Sequence, residues 1–460
     1  MAINAELIKN IIPETIFLHA PLTGEFNCSI DSRSISNDEI FVAIKGNRVD
    51  GHDFLQNAFE RGARGCIIAL EKKDILNKID QRILSNKIVI LVPDTKEALI
   101  KLAIAVRSEF KGDVVCITGS IGKTSTKETL AGILDLEKIS YLASKGTQNT
   151  VLGVALTLVR LKSESLIVLE LGISKRGEMA QLVAIAQPTI GVITAVGHSH
   201  MEGLGSINDI ASEKRDIFRY FKEDNIGIVN GDQPLLAQVG YRHPVIKFGL
   251  KTTNQVQARK IQVGSDSITF SLKLYGTKYK ITLPSNHKGA IFHSLAAAAI
   301  AYLLKIPAQT IISAIEKKII VSGRFEQRLL KNGKGILIND CYNASPESMK
   351  AALAALQQMQ TQAHKVAVLG DMLELGVNSA FWHRQIGRYL RKVPSIRDVI
   401  LVGSHVEAMK KTLPLGIKVD VVPSWKEAVE KLNERISQES CILIKGSRGI
   451  SLDNLVDEFS

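Results

Sequence analysis

Residues 114–130, VVCITGSIGKTSTKETL, read as a β-strand, a glycine-containing turn and the first turns of a helix. The usual phosphate-binding loop, G-x-x-x-x-G-K-[ST], stands in the same position between a strand and a helix. Here, however, only two residues separate Gly119 from Gly122, which Lys123 and Thr124 follow. Backbone N–H groups at a helix N-terminus face an anion, and the helix dipole favours negative charge there. The segment therefore predicts a compact phosphate-binding loop rather than a tight turn with a surface lysine.

Polar residues at the ends of two further apolar runs are candidates for the same site. In a phosphate loop the lysine reaches the β- and γ-phosphates, and the threonine hydroxyl coordinates Mg²⁺. Glu170 ends the run LIVLELG (166–172) and can hold a metal there, although strand ends commonly carry solvated acids. His198 and His200 follow IGVITAVG (190–197). Three interpretations of these histidines are open: a functional pair, a polar turn, or a zinc-binding H-x-H pattern. The zinc site lacks a third soft ligand nearby.

Length and composition indicate a soluble multidomain protein. The 460 residues exceed what one hydrophobic core usually fills, so two or three domains are expected. Hydrophobic residues make up 45% and charged residues 23%, as in ordinary globular proteins. No basic segment followed by a long apolar stretch opens the chain, so we expect no signal peptide. The longest apolar run, 295–304, is about half of the ~20 residues that a membrane span needs.

Charge and cysteine usage narrow the class of partner and the compartment. The net charge of +12 favours anionic ligands. Nucleic acid is not expected, because three consecutive Lys/Arg never occur and only 5% of residues are aromatic. The five cysteines are scattered without a C-x-x-C spacing, which argues against both a zinc knuckle and a disulfide framework. Reduced thiols in a cytoplasmic protein fit this pattern.

Short apolar runs alternate with helical periodicity along the whole chain, which is typical of α/β architecture. We predict three α/β domains, over residues 1–107, 108–321 and 322–460. The central one is a P-loop-type ATPase domain with a mostly parallel sheet, and the C-terminal one is Rossmann-like. Within the central domain, 257–284 predicts antiparallel strands, and a helix is expected over 290–305.

Taken together, these motifs resemble the Mur ligase superfamily. The resemblance rests on the G-x-x-G-K-T loop, the strand-ending Glu-Leu-Gly, the histidine after the next strand and the lysine in SEKRDIF (212–218). Those enzymes form amide bonds in peptidoglycan precursors and use ATP. The segments INDCYNASPESMKAAL (338–353), VAVLGDMLELG (366–376) and IKGSRG (444–449) are similar to the members that add D-alanyl-D-alanine. So is DSRSISNDEIFVAIKGNRVDGHDF (31–54), and the likeness covers all three domains in order.

The resemblance implies a role for particular residues. It implies ATP contacts at Gly119, Ser120, Gly122, Lys123, Thr124, Ser125, His293, Asp340, Tyr342 and Asn343. It implies substrate contacts at Asp31, Ser32, Arg33, Asn149, Lys445, Ser447 and Arg448. It implies Mg²⁺ held by Thr124 and Glu170, and a second metal near His200 and a carbamylated Lys214. The residues expected to carry the catalysis are Lys123, Lys214, His200 and Arg324.

The reaction implied is the addition of D-alanyl-D-alanine to UDP-MurNAc-tripeptide through an acyl phosphate, at the expense of ATP. All partners would be small molecules, and the chain is expected to act as a monomer. The alternatives are a sister Mur ligase or a folylpolyglutamate synthase-like ligase with another amine acceptor. A nucleotide-driven switch is disfavoured because the phosphate loop is short and no N-K-x-D motif is present. A non-catalytic relative is disfavoured because the loop lysine, the loop threonine, Glu170 and His200 are all retained.

Three stretches depart from the family pattern. After the phosphate loop, Thr147 replaces an Asn and Ala155 a Pro. Asn339 and Ser345 replace an Asp and an Asn in the third domain. The segment SNHKGAIFHSLAAAA (285–299) differs from the usual helix start, so that His293 stands where an adenine-contacting Asn is expected. The change at 285–299 affects how adenine would be recognised and leaves the phosphate chemistry unchanged.

Lys214 has two possible states in the sequence pattern. The helical periodicity of INDIASEKRDIFRYF places it on the same stripe as Ile210 and Ile217. Such a lysine either lays its stem on the core with its ammonium in water, or is chemically altered. The family resemblance implies the second state, a carbamate formed with CO₂.

Overall fold

The computed structural model describes residues 3–19, 24–37, 39–146, 148–331, 333, 335–361, 363–436 and 439–460. They form three β-sheets of five, nine and six strands, and each sheet is packed with helices. Most strand pairs are parallel. The predicted fold class, three α/β units with mostly parallel sheets, is thereby confirmed.

The first sheet has the strand order β1-β5-β4-β3-β2, and only β1 runs antiparallel. Its strands are β1 (Ile16–His19), β2 (Asn27–Ser29), β3 (Glu39–Val42), β4 (Gly65–Ala69) and β5 (Ile88–Val92). Its helices are α1 (Ala5–Ile11), α2 (Leu55–Glu60), α3 (Gln81–Leu84) and α4 (Thr95–Glu109). Every residue of β4 and β5 is buried, as continuous apolar runs predict for a parallel sheet.

The central sheet has the order β14-β13-β12-β11-β10-β9-β6-β8-β7. Its strands are β6 (Asp113–Thr118), β7 (Tyr141–Ala143), β8 (Leu166–Glu170), β9 (Ile190–Ile193), β10 (Ile226–Asn230), β11 (Val245–Gly249), β12 (Val256–Val263), β13 (Ile268–Leu274) and β14 (Thr277–Leu283). Its helices are α5 (Lys123–Glu137), α6 (Val151–Leu158), α7 (Glu178–Ala186), α8 (Met201–Leu204), α9 (Ile207–Arg215), α10 (Pro234–Ala237), α11 (Gly289–Leu303) and α12 (Ala308–Ile315). The predicted antiparallel strands are β12 to β14, and α11 is the predicted helix.

The third sheet has the order β15-β16-β20-β17-β18-β19, with only β15 antiparallel. Its strands are β15 (Glu326–Leu329), β16 (Gly335–Asn339), β17 (His364–Gly370), β18 (Asp398–Val402), β19 (Lys418–Val422) and β20 (Ser440–Lys445). Its helices are α13 (Pro346–Gln358), α14 (Ser379–Tyr389), α15 (Glu407–Lys410), α16 (Trp425–Asn433) and α17 (Asp453–Phe459).

Five edge strands, β1, β2, β7, β15 and β19, lack the continuous buried run that marks the central strands. They span three to five residues and are mostly half-buried or exposed. An edge strand pairs on one side only, so it need not be a continuous apolar run. The pattern that reveals a central strand is therefore absent from these segments.

The first and central units share a hydrophobic core. Residues of α4 pack in one cluster with residues of α6 and α7. Arg107, near the end of α4, is buried and its Nε donates to the carbonyl oxygen of Ala186 at 2.7 Å. This packing fixes the first unit against the flank of the central sheet. Within the part of the chain that the structure describes, no helix is long and apolar enough to cross a membrane.

Candidate active site

The loop between β6 and α5 has the backbone shape that its glycines allow. Gly122 has a φ of +89°, a left-handed conformation that side chains rarely adopt. A Cβ there would also lie 2.9 Å from the ring of His293. At Gly119, a Cβ would lie 1.9 Å from Oγ1 of Thr194. Both glycines are required by close approach, and together they turn the chain so that α5 begins at Lys123.

Replacing Gly122 with alanine is expected to destabilise the central unit by about 1–2 kcal/mol and to weaken nucleotide binding. The left-handed backbone costs roughly that amount for a residue with a Cβ, and the His293 ring must also move. Thermal unfolding and nucleotide titration measure the two effects. Gly240→Ala is the matched control, because an added Cβ there meets nothing within 4 Å. Equal melting curves for the two variants would contradict this prediction.

The end of β8 meets the phosphate loop. Thr124 Oγ1 donates to Oε2 of Glu170 at 2.9 Å, and Asn149 Nδ2 donates to Oε1 at 3.2 Å. Glu170 is buried, with 1% of its surface exposed. Lys123 Nζ lies on the same loop and donates to the carbonyl oxygen of Gly119 at 2.9 Å. Burial lowers the pKa of Lys123, with Arg324 acting in the same direction and Glu170 opposing it.

These groups fit a magnesium ion that a nucleotide would bring. Mg²⁺ prefers oxygen ligands, and in phosphate-transfer sites one or two carboxylates hold it together with phosphate oxygens and water. The Thr124 hydroxyl and the buried Glu170 carboxylate supply such oxygens side by side. Among the described residues, no three His, Cys, Asp or Glu side chains cluster as a ready-made metal cage. The donor set therefore matches a metal that depends on phosphate for its remaining ligands.

The residues after β9 bring two histidines to the same edge of the sheet. We call residues 197–204 the histidine loop. Ser120 Oγ donates to the carbonyl oxygen of Gly197 at 3.0 Å, which ties the phosphate loop to the histidine loop. His198 Nδ1 lies 2.5 Å from Oε1 of Glu347, and His200 Nδ1 contacts Oε2 of Glu374. Both glutamates belong to the third unit.

Lys214 lies at the end of α9 and is 1% exposed. Ile210 and Ile217, which the helical pattern places on the same stripe as Lys214, are fully buried, as predicted. This burial argues against the alternative in which the ammonium reaches bulk water. Nζ of Lys214 makes no hydrogen bond or ion pair with any residue that the structure describes. Burial, and the charge of Lys123, lower its pKa well below the ordinary value, although Glu213 opposes them.

The third unit places Arg324, Tyr342 and Asp340 across the cavities from the phosphate loop. The Arg324 guanidinium lies over the Tyr342 ring, 4.0 Å from its centroid. Asp340 accepts from the backbone N–H of Phe325 at 3.1 Å and pairs with Lys445 at 2.8 Å. Lys445 Nζ also donates to the carbonyl oxygen of Asn343 at 3.0 Å. Lys445 is 1% exposed, so it supports the loop that carries Asp340 and Asn343 from the interior of the third unit.

Two cavities meet at this cluster. The first, of about 430 Å³, is lined by the predicted site residues Ser120, Lys123, Asn149, Glu170, His200, Arg324, Tyr342 and Asn343. From the described part of the first unit, Lys96 of α4 also lines this cavity. The second, of about 520 Å³, is lined by the predicted site residues Gly122, Ser125, His293, Arg324, Asp340 and Lys445. Arg324 borders both cavities.

His293 lies on the wall of the second cavity, against Gly122. Burial lowers its pKa to about 3, and His287 and Arg324 contribute in the same direction. The imidazole is therefore neutral and can both donate and accept one hydrogen bond, as an asparagine amide can. This is the chemistry expected at a base-contacting position.

Some predicted residues lie outside this cluster. Asp31 and Arg33 pair with each other at 2.8 Å in the first unit, and Ser32 between them is buried. Ser447 is buried, and its hydroxyl accepts from the backbone N–H of Leu373 at 2.9 Å. Arg448 is mostly exposed and pairs with Asp453 at 3.1 Å. In the structure as described, none of these lines either cavity.

Other residues of the site carry no sequence signal of their own. Glu347 and Glu374 lie in recognised motifs, yet nothing in the motifs indicates that they meet the histidines. Thr194 bridges the loop by donating to the carbonyl oxygen of Ile121 at 2.6 Å. Gln181 and Lys96 reach the first cavity from helices with no distinctive pattern. Folding of the central unit brings Thr194 and Gln181 to the site, and packing between the units brings Glu347, Glu374 and Lys96.

Known protein families match the chain in the order of its three sheets. The Mur ligase family catalytic domain matches residues 27–107, the Mur ligase middle domain 117–301, and the Mur ligase glutamate ligase domain 323–448.

Individual relatives extend the match to the whole chain. The UDP-N-acetylmuramoyl-tripeptide–D-alanyl-D-alanine ligase of Bacillus subtilis (strain 168) is 31% identical, over 99% of this chain and 96% of that protein. The crystal structure of MurF from Acinetobacter baumannii superposes with a TM-score of 0.84, at 26% identity, covering 100% of this chain and 98% of the other. MurF from Thermotoga maritima in complex with ADP gives a TM-score of 0.78, at 27% identity, covering 94% and 96%. The chain therefore belongs to the Mur ligase family, as the motifs of its three units predict.

Proposed function

We propose that the protein is an ATP-dependent ligase that adds D-alanyl-D-alanine to UDP-MurNAc-tripeptide, a step in the synthesis of peptidoglycan precursors. One observation carries the proposal. The phosphate loop, Glu170 and His200 of the central unit share a cavity with Arg324, Tyr342 and Asn343 of the third unit. The relatives that match over the full length are named for this activity.

The first step transfers the γ-phosphoryl group of ATP to the terminal carboxylate of the tripeptide. A carboxylate resists attack by an amine because oxide is a prohibitive leaving group, and phosphorylation supplies a better one. Lys123 reaches the transferring phosphoryl group from the loop, and Arg324 faces it from the opposite wall of the cavity. Asn149, hydrogen-bonded to Glu170, orients the sugar-peptide beside the loop. ADP is the first product.

In the second step the free amine of D-alanyl-D-alanine attacks the acyl phosphate. A tetrahedral intermediate forms and collapses, the C–O bond to phosphate breaks, the amine loses its proton, and the amide remains. Inorganic phosphate leaves. We propose that Lys445, Ser447 and Arg448 lie near the incoming dipeptide, and that Lys445 also supports the loop of Asp340 and Asn343.

Magnesium supplies charge neutralisation at the phosphates when it is bound. Thr124 and Glu170 would hold one ion, and His200 together with a carbamate on Lys214 would form the surroundings of a second. The remaining nucleotide contacts are assigned to Gly119, Ser120, Gly122, Ser125, His293, Asp340 and Tyr342.

We propose a division of labour among residues 1–107, 108–321 and 322–460. The first would bind the uridine diphosphate end through Asp31, Ser32 and Arg33, the second ATP, and the third the dipeptide and part of the nucleotide. Such a protein would work as a monomer in the cytoplasm, where its nucleotide substrates are made. The buried, free thiols of all five cysteines accord with a reducing compartment.

The proposal predicts an acceptor-specific ATPase. Purified protein with ATP and Mg²⁺ is expected to release phosphate only when both UDP-MurNAc-tripeptide and D-alanyl-D-alanine are present, and to yield UDP-MurNAc-pentapeptide by mass spectrometry. In parallel reactions, single amino acids replace the dipeptide, or a folate replaces the nucleotide-sugar. Turnover with a single amino acid and none with the dipeptide would instead identify a sister ligase.

A further inference from the structure

The two imidazoles of the histidine loop have their side-chain partners in a different unit of the protein. The loop's own unit anchors it through Ser120, whose hydroxyl donates to Gly197 and whose backbone N–H donates to the carbonyl oxygen of Ala195 at 2.7 Å. The two imidazoles, in contrast, contact residues of the third unit. The position of the histidines therefore depends on how the third unit docks.

His198 is held on two sides. Glu347 Oε1 accepts from the backbone N–H of His198 at 3.2 Å and lies 2.5 Å from its Nδ1. The ring of Trp382 lies 4.1 Å, centroid to centroid, from the imidazole. At Gly197 a Cβ would lie 3.1 Å from the Glu347 carboxyl carbon, so the carboxylate sits close against the backbone of the loop. Glu347 fixes both the ring and the main chain.

Glu374 contacts the next histidine through its side chain and the loop through its backbone. Its carboxylate contacts Nδ1 of His200, and its carbonyl oxygen accepts from the backbone N–H of Glu202 at 3.1 Å. His200 and Glu374 have φ angles of +56° and +62°. Left-handed backbone is strained for residues other than glycine, and it persists only where the surroundings determine it. The two strained residues meet each other across the boundary between the units.

We propose that Glu347 and Glu374 are positioning residues, which set the histidine loop, and with it His200, in its active place only while the third unit is docked. The inference rests on the proposed function. The Ser120–Gly197 hydrogen bond joins the phosphate loop to the histidine loop. The contacts of Glu347 and Glu374 therefore also define the position of one loop relative to the other. The third unit is also the one that we propose contacts the amine of the incoming dipeptide. Its docking thus completes the site at which the tripeptide carboxylate is phosphorylated.

These pairs contribute little to folding stability. The Glu347 and Glu374 side chains are 37% and 52% exposed, and side-chain pairs with that much contact with solvent are worth little in water. Removing one carboxylate is therefore expected to leave the melting temperature nearly unchanged. Turnover is expected to fall, because a small misplacement of a group at the reacting centre costs up to about a hundredfold.

The chain contains two tryptophans, so Trp425→Phe leaves Trp382, beside His198, as the single tryptophan. In that background we expect Glu347→Gln to change the Trp382 emission without any ligand. We expect Glu347→Gln and Glu374→Gln to lower kcat by about ten- to a hundredfold, with KM for each substrate within about twofold. Glu430→Gln, an exposed residue of α16, is the matched control.

A double-mutant cycle on kcat separates positioning from general damage. If Glu347 acts through His198, the effects of His198→Ala and Glu347→Gln are less than additive. Additive effects, or a Glu347→Gln protein with wild-type kcat and wild-type Trp382 emission, would overturn the inference. Absence of ligase activity in the wild type would refute the proposed function instead. In those same samples the Trp382 emission still decides whether Glu347 holds the loop.

Discussion

Replacing Lys123 with alanine is expected to lower turnover by about 10²–10³-fold, the usual effect of removing one charge-stabilising donor from a transition state. The Lys123 ammonium donates a hydrogen bond to the carbonyl oxygen of Gly119. Its loss costs the fold little, because that bond lies within a single turn. With ATP bound, the same ammonium would face the transferring phosphoryl group, where the charge changes during the reaction.

The measurement is steady-state turnover combined with thermal unfolding of the same preparations. Lys222→Ala is the control, because Lys222 is an exposed lysine of the central unit outside both cavities. The Lys123→Ala protein should melt close to the wild type. Near-normal turnover by a well-folded Lys123→Ala protein would refute the role of this lysine.

Replacing Lys214 with alanine is expected to abolish nearly all activity, with partial recovery on addition of short carboxylic acids. The Lys214 side chain is buried and has no described hydrogen-bond or ion-pair partner. An unpaired buried ammonium is costly, and burial lowers its pKa, so the neutral amine is favoured. A neutral amine can add to CO₂ and become an anionic carbamate, which attracts a metal where an ammonium would repel it.

The rescue distinguishes a carbamate from a structural lysine. A free carboxylic acid can enter the space left in Lys214→Ala and restore the negative charge. Lys214→Arg remains cationic, fills that space and is expected to stay inactive in the acid. Carbon-13 NMR with labelled bicarbonate should show one carbamate signal in the wild type that both variants lack. Wild-type activity that is insensitive to bicarbonate depletion, together with no such signal, would defeat the proposal.

The sequence by itself determined the fold class and the local chemistry of the phosphate loop. Buried parallel strands such as β5 and β8 are continuous apolar runs, because both faces are covered. Gly119, Gly122 and Lys123 lie within five residues, so backbone shape and charge are encoded together. Glu170 was also predictable, since a carboxylate that ends a buried strand must lie at the edge of the sheet.

Only the tertiary structure decided which distant groups meet at that edge. His198 and Glu347 are 149 residues apart and pair only because the third unit docks against the central one. Lys445 stands in a motif that predicts substrate contact, yet it is buried in an ion pair with Asp340. The strands β1, β2, β7, β15 and β19 likewise depend on a neighbour along one edge rather than on their own apolar pattern. Local patterns reflect burial and backbone conformation, whereas pairing across units depends on shape and charge brought together by folding.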